Sequence, residues 1–208
     1  SVGTTKKTQC IHPLNVPHHT NKFQKTATAD YGEACLWIAN QCTTKRTKMS
    51  QTSFNIQRAA VIGAGTMGRG IVMCLANAGV AVQWVDNNPQ MLEQALVTVA
   101  DTYAHSVRQE RIDQAEADAR IARVTAAANY AAIRDVDLVI EAVYENLELK
   151  QSIFRELDGL LKPEAILASN TSALDIDAIA AVTRRPQQVL GLHFFSPAHI
   201  MKLLEIVR

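Results

Sequence analysis

The sequence lacks any run of ~18 apolar residues, so no membrane-spanning helix is expected. It lacks an excess of one charge, with 21 Lys and Arg against 20 Asp and Glu. That removes the broad basic footprint of a nucleic-acid-binding protein. Aromatic residues make up only 5% of the chain, too few in its basic N-terminal part to form a stacking platform for bases. Beyond residue 49 there is a single cysteine, Cys74. Set within a predicted helix, it reads as a packed core thiol and suits a reducing compartment, here expected to be the cytoplasm. What is present is ordinary for a globular protein: 48% apolar and 20% charged residues in 208, enough for one domain or two small ones.

The charge is unevenly spread. Residues 1–48 carry seven basic residues and two acidic ones, net +5, which leaves 14 basic and 18 acidic in the remainder, net −4. This first stretch has no sustained helical or strand periodicity. Its longest apolar run, 34–39, is too short for a signal-peptide core. Cys10, His12, His18 and His19 match no zinc-ligand spacing, so no metal site is expected. Residues 1–48 are expected to be a disordered or extraneous leader, with Met49 the natural start.

From residue 54 onward strands and helices alternate. Strands are expected at 58–63, 81–86, 137–143, 165–169, 189–193 and 202–207, and helices at 66–78, 89–108, 113–121, 147–161 and 175–182. The strands are continuous apolar runs rather than alternating ones, as for a parallel sheet covered on both faces. The expected fold is therefore α/β, a Rossmann-like, doubly wound and mainly parallel sheet over 54–208.

Gly63-Ala-Gly65-Thr-Met-Gly68 closes the first of these strands and opens a helix. In that context Gly63 permits the tight turn, Gly65 lets a pyrophosphate approach the backbone, and Gly68 lets helix and strand pack closely. The N-terminal turn, with Thr66 and Met67, offers N–H groups and a positive dipole end to phosphates. Asp86 ends the second strand, 21 residues beyond Gly65. A carboxylate there accepts hydrogen bonds from ribose hydroxyls and repels a 2′-phosphate, and no Lys or Arg follows in Asn87-Asn88-Pro89. The expected cofactor is NAD rather than NADP.

Three further groups fall at expected strand ends, where ligands of open α/β sheets sit. They are Glu141-Ala-Val-Tyr-Glu145 with Lys150, Ser169-Asn170-Thr171-Ser172, and Gly191-Leu-His193-Phe-Phe-Ser-Pro197 with Glu205. A histidine beside a cofactor cleft is a natural general acid/base because imidazole exchanges protons near neutral pH. A carboxylate on its other nitrogen would fix the tautomer and stabilise the imidazolium. Periodicity does not show that His193, Glu205 and Ser172 meet in space.

The motifs GAGTMGRGI (63–71), EAVYE (141–145), SNTS (169–172) and GLHFFSPAHIMKLLEIV (191–207) together resemble the NAD-binding domain of the L-3-hydroxyacyl-CoA dehydrogenases of β-oxidation. Ser196 resembles the multifunctional members more than the short monofunctional ones. The resemblance implies His193 as the catalytic base, Glu205 as its partner and Ser172 as the contact for the substrate oxygen. It implies that Asn170, Glu145 and Lys150 line the nicotinamide and ribose side of the cofactor. The implied substrate is an L-3-hydroxyacyl-CoA, oxidised to the 3-ketoacyl-CoA, and the full-length form is expected to be a homodimer or multifunctional assembly. Members of the family continue into a helical domain that completes the substrate cleft. Without it, a chain of this extent is expected to fold and hold NAD with reduced turnover, and Leu203, Leu204 and Ile206 are expected to lack a cover. The alternative is an NAD-binding module with little or no turnover.

Overall fold

The structure is a computed structural model and describes residues 8–10, 56–201 and 203–207. Met49 and the candidate ligands His12, His18 and His19 lie outside the described residues. Among those described, no helix is long and apolar enough to cross a membrane.

Among the described residues eight strands form one sheet. In chain order they are β1 (Thr8–Cys10), β2 (Arg58–Ile62), β3 (Ala81–Val85), β4 (Val124–Ala126), β5 (Leu138–Glu141), β6 (Ile166–Ser169), β7 (Val189–Phe194) and β8 (Leu204–Val207). Their spatial order is β1-β8-β7-β6-β5-β2-β3-β4. The six from β2 to β7 are parallel to their neighbours, while β8 runs antiparallel to β7 and β1 antiparallel to β8. The chain leaves β2 toward β3 and β4, then crosses to β5 on the other side. The crevice of a doubly wound sheet lies at such a reversal, outside the carboxyl ends of the strands.

Among the described residues five helices cover the sheet: α1 (Thr66–Asn77), α2 (Pro89–Arg108), α3 (Gln114–Ala122), α4 (Leu147–Leu160) and α5 (Ile176–Ala180). Alternate residues along each strand enter two separate cores. Ala59 and Val61 join Ile71, Leu75, Val99 and Tyr103 of α1 and α2, whereas Ala60 and Ile62 join Phe154, Leu157 and Ile179 of α4 and α5. Burial on both faces is what made the strands read as unbroken apolar runs.

Local chemistry sets the helix ends. Asn88 caps α2, its side chain accepting from the Gln90 and Met91 N–H groups, with Pro89 in the first turn. Asp113 and Asn146 cap α3 and α4 in the same way. Past α1, Gly79 takes a φ of +83° and the Val80 N–H returns to the Leu75 carbonyl. At the end of α4 the carbonyls of Asp158, Leu161 and Lys162 accept from the Arg184 and Arg185 guanidinium groups. Those are orphan acceptors of a helix C-terminus, satisfied by a distant segment.

Cys74 is buried, as expected. Three features differ from the expectations. Strand β1 lies in the stretch read as free of strand periodicity and pairs antiparallel with β8. Strand β4 was not anticipated, because three residues with mostly exposed side chains carry no apolar run. Leu204 and Ile206 do not lack a cover: they are buried in the α1–α2 core, and Leu203 is half-buried. The exposed apolar side chains near this end are Ile200 and Met201, at 63% and 43% exposure.

Two predictions concern stability. A Cβ on Gly70, inside α1, would stand 2.8 Å from the Ala198 Cβ and 3.1 Å from its backbone nitrogen. Helix propensity favours alanine by ~1 kcal/mol, but overpacking a closed contact costs about 1–3 kcal/mol. Gly70→Ala is therefore expected to lower stability in urea denaturation, against the propensity scale. Gly159→Ala, with nothing within 4 Å, is expected to raise it. The second concerns Asp158. Burial works against its charge, but hydrogen bonds from Arg185 and Arg184 outweigh that and hold its carboxyl at about 2, against an ordinary 3.8. The depressed value contributes about 2 kcal/mol, present above the unfolded-state pKa and lost as pH falls from about 4 through about 2. Asp158→Asn is expected to destabilise by at least that amount at pH 7, with the gap to wild type closing over that acid window.

Candidate active site

The crevice begins where β2 ends. Gly63 has a φ of +107°, a conformation that L side chains rarely adopt, and a Cβ there would lie 2.7 Å from the Ala142 carbonyl oxygen. Its N–H donates to the Val85 carbonyl at 2.8 Å, and its own carbonyl accepts from Trp84 Nε1 at 2.9 Å. Gly68 presses so close to this turn that a Cβ would overlap the Gly63 carbonyl oxygen. Gly65 is the opposite case, for a Cβ on it would meet nothing within 4 Å. It caps α1 with extended backbone and provides no side-chain hydrogen bond. The first turn, formed by Thr66, Met67 and Gly68, thus has no side-chain cap beside an open space. That is the arrangement a pyrophosphate needs.

Asp86 leaves β3 next to this turn. One carboxylate oxygen accepts the Ala64 N–H at 2.6 Å and the other accepts the Asn88 N–H at 2.8 Å. Two backbone donors fix the carboxylate, and each oxygen retains a lone pair for a ribose hydroxyl. The residues present therefore fit an adenine dinucleotide without a 2′-phosphate.

On the other side of β2, the end of β5 carries a carboxylate with no solvent exposure, Glu141. It accepts from Lys150 Nζ at 2.7 Å, from the Val143 N–H at 2.6 Å and from Ser169 Oγ at 2.7 Å. Lys150 is itself 1% exposed, and its ammonium also reaches the Val143 carbonyl at 3.3 Å and Glu145 Oε2 at 3.6 Å. Lys150 thus lies beneath the Glu145 carboxylate with protein oxygens around it, rather than on an open wall. Glu145 is 41% exposed. Its Oε1 accepts from Thr171 Oγ1 at 2.5 Å and from the Ser172 and Ala173 N–H groups at 3.1 and 3.2 Å. Burial pushes the Glu145 carboxyl up, but these three donors and the Lys150 charge prevail and hold it below the usual glutamate range.

Strands β6 and β7 bring the remaining groups together. Ser169, the last residue of β6, pairs with Gly191 inside β7, so β7 runs on beyond the exit of β6 to Phe194. Asn170 bridges neighbouring exits: its N–H donates to the Glu141 carbonyl at 2.8 Å, and its Oδ1 accepts the Phe194 N–H at 3.0 Å. Across the antiparallel pair, His193 lies opposite Glu205. His193 Nδ1 is 2.9 Å from Glu205 Oε2, and both side chains keep roughly a quarter of their surface exposed, at 24% and 22%. A carboxylate acceptor places the neutral ring's proton on Nδ1, leaving Nε2 to take one up. The Phe195 ring flanks the imidazole with centroids 4.6 Å apart.

The structure thus joins His193 to Glu205 and places Asn170 beside them. Ser172 is exposed on a turn held by Glu145. Two groups went unassigned in the sequence: Glu141 as the buried anchor and Thr171 as the hydroxyl donor to Glu145; Asn170, read there as lining the cofactor, also ties β6 to β7. A charged residue closing an apolar strand at Glu141 was the one available signal.

The 3-hydroxyacyl-CoA dehydrogenase, NAD binding domain family matches residues 58–208. Among curated relatives, the peroxisomal bifunctional enzyme of Danio rerio is 50% identical over 159 residues, covering 73% of this chain and 20% of that protein. A probable 3-hydroxybutyryl-CoA dehydrogenase of Bacillus subtilis is 40% identical, covering 74% of this chain and 53% of that one. The chain therefore spans between a fifth and about half of these relatives. Among solved structures, the 3-hydroxybutyryl-CoA dehydrogenase of Escherichia coli superposes with a TM-score of 0.70 at 36% identity, covering 71% of this chain and 31% of that one. Residues 58–208 belong to the 3-hydroxyacyl-CoA dehydrogenase family and form its NAD-binding domain.

Proposed function

We propose that the chain is the cofactor-holding and proton-transferring part of an NAD-dependent L-3-hydroxyacyl-CoA dehydrogenase of fatty-acid β-oxidation. The observation that carries this reading is the His193–Glu205 pair, 2.9 Å apart, on the same sheet edge as an uncapped glycine turn and Asp86. NAD, when bound, supplies the hydride acceptor for C3 of the substrate. Asp86 takes the adenosine ribose hydroxyls, and the first turn of α1 takes the phosphates. Glu145 and Asn170 border the nicotinamide end. His193 Nε2 accepts the proton of the 3-hydroxyl as C3 is oxidised, and Glu205 stabilises the imidazolium through Nδ1. Ser172 holds the substrate oxygen. In reduction the same imidazolium returns its proton to the forming alkoxide. The acyl-CoA substrate and an assembly with further domains are part of this proposal, in keeping with the relatives' names.

The test is NADH oxidation driven by acetoacetyl-CoA, with wild type and His193→Ala in parallel. Wild type is expected to turn over and the variant to lose about 100-fold or more. Turnover that survives His193→Ala unchanged would sink the mechanism. NADH binding without turnover in either protein would leave a cofactor module alone. For cofactor choice, Asp86→Asn is expected to weaken NADH binding about tenfold and narrow the preference over NADPH, read by fluorescence titration of both. Equal loss for the two nucleotides would remove the role given to its charge.

A further inference from the structure

We infer that Glu145 is a positioning residue for Ser172, and that the buried Glu141–Lys150 pair keeps it in that place; the inference rests on the reaction proposed above. It gives Glu145 a task separate from lining the cofactor. The turn that carries Ser172 leaves β6 as a bare loop, with no strand partner at 171–173. Loop backbone placed beside a substrate needs something to fix it. Here one carboxylate oxygen does so, taking the Thr171 hydroxyl and the Ser172 and Ala173 N–H groups together. Thr171 Oγ1 in turn accepts the Ala173 and Leu174 N–H groups at 3.3 and 2.9 Å, so the turn is tied to itself as well as to Glu145.

A single oxygen with three donors must remain charged to hold them all. Lys150 faces the other oxygen at 3.6 Å and favours that charge. Lys150 cannot swing away, because its Nζ is pinned to Glu141 at 2.7 Å and both side chains are closed off from solvent. Glu141 is anchored by Ser169 Oγ from the strand that leads into the turn. The series Ser169, Glu141, Lys150, Glu145, Ser172 therefore ties the last residue of β6 to the turn that follows it.

The test uses the full chain with Glu145→Ala, Glu145→Gln, Ser172→Ala and the Glu145→Ala/Ser172→Ala double variant. Amide hydrogen exchange is expected to rise at Ser172 and Ala173 in Glu145→Ala, and to rise less in Glu145→Gln, which keeps an acceptor but loses the charge. In acetoacetyl-CoA reduction, kcat of Glu145→Ala is expected to fall about tenfold, toward that of Ser172→Ala. The double variant should be no worse than Ser172→Ala, since the two changes remove one function. Unchanged exchange at Ser172 and Ala173 would overturn the inference. So would losses that multiply in the double variant, or a defect confined to NADH affinity. If wild type does not reduce acetoacetyl-CoA, the proposed reaction fails while the exchange measurement still decides the positioning.

Discussion

A fully buried carboxylate at the end of a central strand is untenable alone. Uncompensated, the Glu141 charge would carry the full cost of desolvation, and removing one partner of such a pair typically costs about 3–5 kcal/mol. The chain meets this with Lys150, placed on α4 so that its ammonium lies 2.7 Å from the carboxylate. Much follows from that pairing. It fixes the first turn of α4 against the exit of β5. It engages Ser169, so β6 is held at the same level. It also sets the charge that faces Glu145 and, through Glu145, the turn bearing Ser172. Replacing the pair by apolar side chains of similar volume could leave stability intact. The arrangement of the loops above it would not survive, because each of them hydrogen-bonds to a charge.

On the other half of the crevice the governing constraint is space rather than charge. Gly68 abuts the Gly63 carbonyl, and Gly70 abuts Ala198 in the segment between β7 and β8. Helix α1 therefore touches the dinucleotide turn through Gly68 and the segment that links His193 to Glu205 through Gly70. The cofactor cradle and the proton-transfer pair share a single rigid support. Gly65, with open space around it, is where this closeness is relaxed and a ligand is given room.

The parallel sheet, the glycine turn and Asp86 were legible in the sequence because each depends on neighbours along the chain. Apolar runs from 59 to 62 and from 138 to 140 announce strands buried on both faces, and Asn88-Pro89 announces a capped helix. Strand β4 was not legible. It exists because β3 offers an edge, with which Val124, Thr125 and Ala126 pair in register, Thr125 Oγ1 also donating to the Val82 carbonyl at 3.4 Å. The burial of Leu204 and Ile206 was misjudged for a related reason. Their cover comes from α1 and α2, far upstream, and nothing in the local pattern says so. The Glu145 clamp was hidden too, since its three donors lie 26 to 28 residues away on another strand exit.

The His193–Glu205 contact was implied by the resemblance but not by the residue pattern itself, and the reason is topological. Twelve residues separate them, which in a parallel crossover would carry Glu205 to a different strand position. The antiparallel return of β8 instead sets residue 205 directly opposite residue 193. Register then becomes decisive, because a slip by one residue would turn the carboxylate to the other face of the sheet. The burial of β8 guards against that slip. Leu204 and Ile206 enter the core while Glu205 and Val207 remain half-exposed, so any shift would bury a carboxylate and expose two aliphatic side chains. At about 1.5–3 kcal/mol for each aliphatic side chain, the hydrophobic alternation of this short strand fixes the chemistry at His193.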